Sequence, residues 1–315
     1  MSDCTFLAFA DLHHYPGVFY PDKEWRLEKI LTRSVEENAA FIVGLGDYVH
    51  APDSNVALAE RMMAAPKDIY CCIGNHDTDT WPLERMLPLY RMPHNYYYFD
   101  RCGYRFIVLD ANYTIIDGEY VHYNPGVSRP LNVGILPPEQ LAWLEQTVAD
   151  SPYPCVLMSH HSIERTDGIL NRGAVWDVIC RANARRRYAV ILYMNGHYHR
   201  DHCAIVNDVC CLEVNSASYQ YLATPYTKYS PEALATAGAL PHTLNFSQPL
   251  SAMITLDGPS RIQVRGHAGQ FMFGVTDEDV LEIDSNRLSY SRRSVPFIRD
   301  YMVDLDAETV TKSRL

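Results

Sequence analysis

The sequence predicts an α/β protein in which short buried strands alternate with helices. Three observations carry that prediction. Compact apolar runs at residues 5–10, 41–45, 68–73, 154–158 and 188–194 have the length and composition of core strands. Amphipathic stretches long enough for helices lie between most of them. Each run stops at a glycine or a polar cluster, and the ends of strands are where open α/β sheets keep their sites.

The first strand ends in Asp11-Leu12-His13-His14. Residues two apart in extended chain project to one side, so Asp11 and His13 can point together. Asp22 is placed to cap a helix running to about Asn38, with Leu27, Ile30, Leu31 and Val35 on one stripe. The second strand delivers Gly46-Asp47. A helical stretch over 56–65 leads to the third, which ends in Gly74-Asn75-His76-Asp77. Its glycine lets the backbone turn without a Cβ clash. Aromatic runs at 96–99 and 104–109 flank Asp100-Arg101-Cys102-Gly103 and read as a hairpin. Pro137-Pro138-Glu139 opens a helix that buries Leu141, Leu144 and Val148. The next two strands end in Ser159-His160-His161 and Asn195-Gly196-His197-Tyr198-His199, with a helix over 175–183 between them. Hairpins at 203–214 and 252–265 follow. Residues 219–249 are rich in Tyr, Thr, Ser and Pro and read as a long functional loop with a short helix. One main domain is expected over 1–270, with 271–315 as a C-terminal extension, either a lid or an oligomer arm.

Composition narrows the function. The chain has 315 residues, 47% hydrophobic, which suits a large folded core. Lys+Arg of 27 against Asp+Glu of 38 gives a net charge of -11, which argues against a broad nucleic-acid surface. Arg185-Arg186-Arg187 and Arg292-Arg293 read as solvated faces. The nine cysteines are odd in number, sit mostly in apolar runs and form no Cys-x-x-Cys pair, so no disulfide framework is expected. The first residues lack the basic start and apolar run of a signal peptide, and no apolar stretch approaches the length of a bilayer span. A reducing, cytoplasmic setting without a membrane partner is expected.

Asp11, His13, Asp47, Asn75, His160, His197 and His199 all stand just after strands. A lone histidine there usually caps or packs, and a lone Gly-Asp is usually a turn. Seven oxygen and nitrogen donors together suit two divalent ions, three or four donors each, with one carboxylate bridging. Such an ion pair clamps the attacking and leaving oxygens of an in-line displacement and lowers the pKa of bound water.

Asp11-x-His13, Gly46-Asp47, Gly74-Asn75-His76-Asp77, His160-His161 and Gly196-His197-Tyr198-His199 together resemble, in order, the five blocks of calcineurin-like metallophosphoesterases. The resemblance implies a four-layer sandwich, two mixed β-sheets flanked by helices. It implies that Asp11, His13, Asp47 and His199 hold one metal and that Asp47, Asn75, His160 and His197 hold the other, with Asp47 bridging. His76 would be the general acid, oriented by Asp77, and His161 would face substrate. The metals implied are Mn, Fe or Zn, and the reaction is in-line attack of a metal-activated hydroxide on a phosphoester.

Departures from the family pattern narrow the subfamily. Protein serine/threonine phosphatases carry Gly-Asp-x-x-Asp-Arg-Gly and end the central block in Glu; here the chain reads Gly46-Asp47-Tyr48-Val49-His50-Ala51 and the block ends in Asp77. Purple acid phosphatases need Tyr where His50 stands, so no iron–tyrosinate colour is expected, and His50 is taken instead as a substrate contact. Gln140-Leu141-Ala142-Trp143-Leu144 and Arg105-Phe106-Ile107-Val108-Leu109-Asp110 resemble connecting segments of bacterial class III cyclic-nucleotide phosphodiesterases. Ser162-Ile163 departs from their His-His-x-Pro. The expected activity is phosphodiester hydrolysis on a small molecule such as a cyclic nucleotide or a glycerophosphodiester. The alternatives are a phosphomonoesterase or nucleotide pyrophosphatase, then a nuclease or a non-catalytic scaffold. The expected partners are that small phosphoester and, if the tail is an oligomer arm, a second copy of the chain.

Overall fold

The computed structural model describes residues 3–50, 53–79, 81–127, 133–285 and 294–313. Two mixed sheets face one another. The first has seven strands in the spatial order Thr309–Lys312, Tyr301–Asp304, Arg261–Arg265, Ala252–Asp257, Cys4–Phe9, Ile42–Gly44, Ile69–Cys71. Its last three strands run parallel to one another. The second has six, His202–Val206, Val209–Glu213, Val190–Asn195, Cys155–Met158, Tyr104–Val108, Tyr97–Arg101, with the middle four parallel.

Apolar side chains fill the space between the sheets. Phe6 and Phe41 of the first stack at 5.1 Å, and Phe106 of the second meets both edge-on, at 5.4 and 5.0 Å. Outside the second sheet, the helices Pro138–Ala149 and Arg172–Arg185 bury Leu144, Val148, Val175 and Ile179 against Leu109, Leu157 and Tyr193. On the first sheet, helix Lys23–Glu36 buries Leu27 and Ile30. The result is a four-layer α/β sandwich, as the sequence pattern and the family resemblance lead one to expect.

Local differences have physical reasons. Asp22 occupies the N-cap position without capping; its carboxylate pairs with Lys23 at 3.1 Å and Arg26 at 2.6 Å. Val35 is exposed, because two turns after Leu27 the inner face falls on Ser34, which is buried. All nine cysteines are free, and Arg185, Arg186 and Arg187 are exposed. The Arg292-Arg293 pair and Ala51 lie outside the described residues. Among the described residues, no helix is long and apolar enough to cross a membrane.

The tail beyond 270, expected as a lid or an oligomer arm, contributes Tyr301–Asp304 and Thr309–Lys312 to the edge of the first sheet. Its residues Phe271, Phe273, Val275, Val280 and Ile283 pack on a small cluster with Leu222, Tyr226, Tyr229, Leu240 and Leu244. That cluster gives the 219–249 segment a core of its own.

Candidate metal centre

The parallel strands of both sheets end at one mouth, and backbone hydrogen bonds bring their loops together. Asp11 N–H donates to Gly46 O and His13 N–H to Asp47 O, both at 3.0 Å. From the second sheet, the segment after Val209–Glu213 crosses over: Ala217 N–H donates to Ala10 O at 2.8 Å, and the Ser216 and Ser218 hydroxyls donate to Asp11 O and Leu12 O.

Close approach at this mouth is possible only with glycine. A Cβ on Gly74 would collide with the Asp47 carboxylate, and one on Gly196 would stand 2.7 Å from Asp11 Oδ2. Asp11, His13, Asp47, His197 and His199 all have left-handed backbone, with φ of 55°, 52°, 57°, 73° and 52°. Non-glycine residues hold that conformation at a cost of order 1–3 kcal/mol each, so the surrounding structure must fix it. Such positions cluster where side chains are aimed for a purpose.

Two trios of donors result: Asp11, His13 and His199, and Asp47, His160 and His197, each with ligand atoms within 4.8 Å of one another. His199 Nε2 lies 3.3 Å from Asp11 Oδ1 and 3.0 Å from His13 Nε2. His160 Nε2 lies 3.1 Å from Asp47 Oδ2 and 3.1 Å from His197 Nδ1. Asp47 Oδ2 also lies 3.8 Å from His13 Nε2, so this carboxylate stands between the trios. Asn75 is buried between Gly74, which packs on the Asp47 carboxylate, and His76, whose N–H donates to Asp47 Oδ1 at 2.8 Å.

The donor chemistry fits divalent ions. His160 Nδ1 donates to Leu45 O at 2.7 Å and His199 Nδ1 to Tyr219 O at 2.6 Å. A carbonyl only accepts, so in the neutral form each ring has its lone pair on the Nε2 that faces the carboxylates. Burial pushes His13 and His197 down to about 3, which keeps them in the neutral form a metal needs. Burial alone would lower His160 too, but the Asp47 charge outweighs it and lifts His160 to about 9. Asp47 itself is disfavoured by burial yet held well below the carboxylate range by His160, His76 and His13. A divalent ion held here would take the place of the proton on His160.

Two assignments need correction. Asp77 does not orient His76. Its buried carboxylate accepts from Asp47 N–H at 2.8 Å, Gly74 N–H at 2.9 Å, Tyr48 N–H at 3.1 Å and the Tyr90 hydroxyl at 3.2 Å, and so ties two loops together. The carboxylate on His76 is Asp79, with Oδ2 2.9 Å from Nδ1. His161 is fully buried rather than on the cavity wall, its ring 4.5 Å from that of His197. The Ser159 and Tyr193 hydroxyls hold its carbonyl at 2.6 and 2.7 Å and fix that placement. His50 is buried at the floor beside His13 and His76.

A cavity of about 390 Å³ opens over these groups. Its floor includes His13, Asp47, His50, His76, His197 and His199; its wall includes Phe19, Tyr198, Arg200, Tyr219 and Tyr221. Sequence reasoning missed Asp79, Phe19, Arg200, Tyr219 and Tyr221. Asp79 carried a local signal, its position three residues after His76, and Tyr219 and Tyr221 lie in the segment read as a functional loop.

Two trios of oxygen and nitrogen donors at the shared mouth of two facing sheets suggest a dinuclear metal site of the kind phosphoesterases carry. The family model for calcineurin-like phosphoesterases matches residues 4–201, and the chain belongs to that family. Among solved structures it is similar to a dimetal phosphatase from Danio rerio, with 15% identity over 86% of this chain and 99% of that one and a TM-score of 0.59. It is also similar to the purple acid phosphatase PPD1 of yellow lupin, Lupinus luteus, with 13% identity over 84% and 51% and a TM-score of 0.51. A third is GAP50, the anchor in the inner membrane complex of Plasmodium, with 12% identity over 84% of each chain and a TM-score of 0.50. At these identities the likeness shows the fold. No curated protein matches at the level of sequence.

Proposed function

We propose that the chain is a metal-dependent phosphodiesterase acting on a small molecule such as a cyclic nucleotide or a glycerophosphodiester. The observation that carries the diester preference is the charge and shape of the cavity wall. Among its described lining residues one cation is present, Arg200, and its Nη1 already donates to Gln220 and Ser294 at 2.9 and 2.5 Å. A monoester dianion asks for more positive charge than a diester monoanion. The second organic group of a diester finds apolar area on Phe19, Tyr219 and Tyr221.

Two divalent ions (Mn, Fe or Zn are all compatible with mixed nitrogen and oxygen ligation), one held by Asp11, His13 and His199 and one by His160, His197 and Asn75 with Asp47 shared, would supply Lewis acidity and an acidic bound water. The remaining work falls to the chain. His76 lines the cavity and has Nδ1 engaged by Asp79, which leaves Nε2 to carry the transferable proton. That proton goes to the departing alkoxide, which is otherwise a poor leaving group. Burial of the floor excludes water from the carboxylates and strengthens every charge interaction there.

The test is a hydrolysis panel of cyclic nucleotides, glycerophosphodiesters, nucleoside diphosphate esters and monoesters, run on metal-free protein with Mn²⁺ added back. Diester turnover that appears only with metal is expected. Strict monoester preference would replace the reading by a phosphomonoesterase. Steeply salt-dependent binding of single strands would point to a nuclease. Full metal occupancy with no hydrolysis would point to a scaffold.

A further inference from the structure

His50, His76 and Asp79 form a third cluster beside the two trios, their donor atoms within 4.8 Å of one another. A turn over residues 75–79 creates it: Asp79 N–H donates to His76 O at 3.3 Å and the Thr78 hydroxyl to Asn75 O at 2.7 Å. The turn carries the Asp79 carboxylate back over His76.

A single oxygen, Asp79 Oδ2, then faces two rings, 2.9 Å from His76 Nδ1 and 3.3 Å from His50 Nδ1. A carboxylate oxygen only accepts, so both Nδ1 atoms carry the hydrogen. In the neutral ring of His50, Nε2 is therefore an acceptor, and it lies 2.7 Å from His13 Nδ1. His13 donates from Nδ1 in turn. Its Nε2 is left with a lone pair, and this is the atom 3.6 Å from Asp11 Oδ1 and 3.0 Å from His199 Nε2. One carboxylate thus fixes the tautomer of two functional rings at once.

We propose that Asp79 is the positioning residue that couples the metal floor to the leaving-group side of the site. Through His50 it sets His13 with its lone pair toward the ion; directly, it holds His76 with Nε2 toward the cavity. The His76 half rests on the phosphoesterase reading above, whereas the His13 half stands on the donor geometry alone. The cluster differs from an ordinary surface ion pair: the His50 and His76 rings lie 4.2 Å apart and His50 is buried. Chains of this kind, running from a carboxylate through imidazole to a ligand, raise ligand basicity and are worth about 10–100-fold in metal affinity or activity.

The experiment compares wild type with Asp79→Ala, and with Asp79→Asn in case the alanine variant folds poorly. Zn²⁺-loaded protein labelled with ¹⁵N-histidine should show His13 and His50 each in the single Nδ1–H tautomer. Loss of Asp79 should leave His50 in a mixture and weaken the first-released Zn²⁺ about 10–100-fold. At saturating metal, kcat on an alkyl diester should fall about 10–100-fold with little change in KM. The same substitution in a His76→Gln background should cost nothing further in kcat. Unchanged tautomers and unchanged Zn²⁺ affinity would overturn the proposal. So would a third equivalent of Zn²⁺ ligated by Asp79, because both Nδ1 atoms would then carry lone pairs. If no phosphoester is turned over, the spectra and the affinity still decide the His13 half.

Discussion

The cavity floor and the cavity wall are built by different means. The floor comes from strand ends, where short motifs force glycines and left-handed residues into one place; a Cβ on Gly46 would stand 2.7 Å from His160 Nδ1. The wall comes from distant segments. Tyr219–Tyr221 pairs with Thr243–Asn245, Phe19 stacks on Tyr219 at 5.1 Å, and Arg200 is held by Ser294. Chemistry is therefore local and intolerant of change, whereas recognition is spread out and adjustable. Substitutions on the floor should cost kcat and metal; those on the wall should cost mainly KM.

The largest break should come from Asp47→Ala, because this carboxylate stands between both trios. It should lower bound metal and remove nearly all turnover, ~10³-fold or more if several kcal/mol of transition-state stabilisation is lost. Metal analysis alongside kinetics checks it; a variant with full metal and near wild-type kcat would move the bridge elsewhere. His76→Gln should follow. A loss of ~10²–10⁴-fold is expected with an alkoxide leaving group, and much less with an activated aryl ester. Equal losses on both esters would mean that His76 places substrate instead.

On the wall, Tyr221→Ala is the sharper contrast. The residue is 54% exposed, so truncation should leave the fold intact. KM for a diester bearing a flat aromatic group should rise about 2–10-fold at unchanged kcat, from a contact worth ~0.5–1.5 kcal/mol. A fall in kcat instead would erase the distinction between floor and wall.

The smallest effect concerns stability away from the metals. Asp110 Oδ2 accepts from His122 Nε2 at 2.7 Å. Burial works against both charges, but His122 is raised because Asp110 outweighs its desolvation, and Asp110 is lowered by His122 in the same way. His122 thus stabilises the fold fully below its unfolded pKa, about 6.5, and loses that contribution as pH rises through its higher folded value. Asp110 contributes fully above about 4 and loses it as pH falls through its lower folded value. Wild type should exceed His122→Phe by roughly 1.5–3 kcal/mol between about pH 4 and 6.5 and converge on it at alkaline pH. Urea midpoints across pH check this, and a gap that widens with pH would reverse the assignment.

The same contrast explains what the sequence could reveal. Residues 4–201 carry strands whose apolar runs and terminal motifs lie side by side in the chain, so their order and the residues of the two trios were legible. Gln140 was read as part of a helix; that its amide would bond Asp110 O at 2.8 Å and Asp110 N–H at 2.9 Å depends on a helix–strand contact thirty residues apart. Asp77 stands next to His76 in sequence yet turns away, because four backbone N–H groups of folded loops claim its carboxylate. His161 follows His160 but is fully buried, with its backbone carbonyl held by Ser159 and Tyr193. Neighbouring positions say little about direction where the backbone is irregular. The strands at 301–304 and 309–312 were illegible for another reason: the first alternates in burial only because Arg261–Arg265 is there to pair with, and the second pairs on the first.

On the proposed reading, one mouth holds two ions around a shared carboxylate, and hydrolysis depends on them. Anomalous diffraction from Mn²⁺-loaded crystals, read beside activity of the same protein before and after metal removal, tests it most directly. Two peaks are predicted, one against Asp11, His13 and His199 and one against His160 and His197, with Asp47 touching both and activity lost with the metal. A single peak away from Asp47, or full hydrolysis by protein shown to be metal-free, would contradict it.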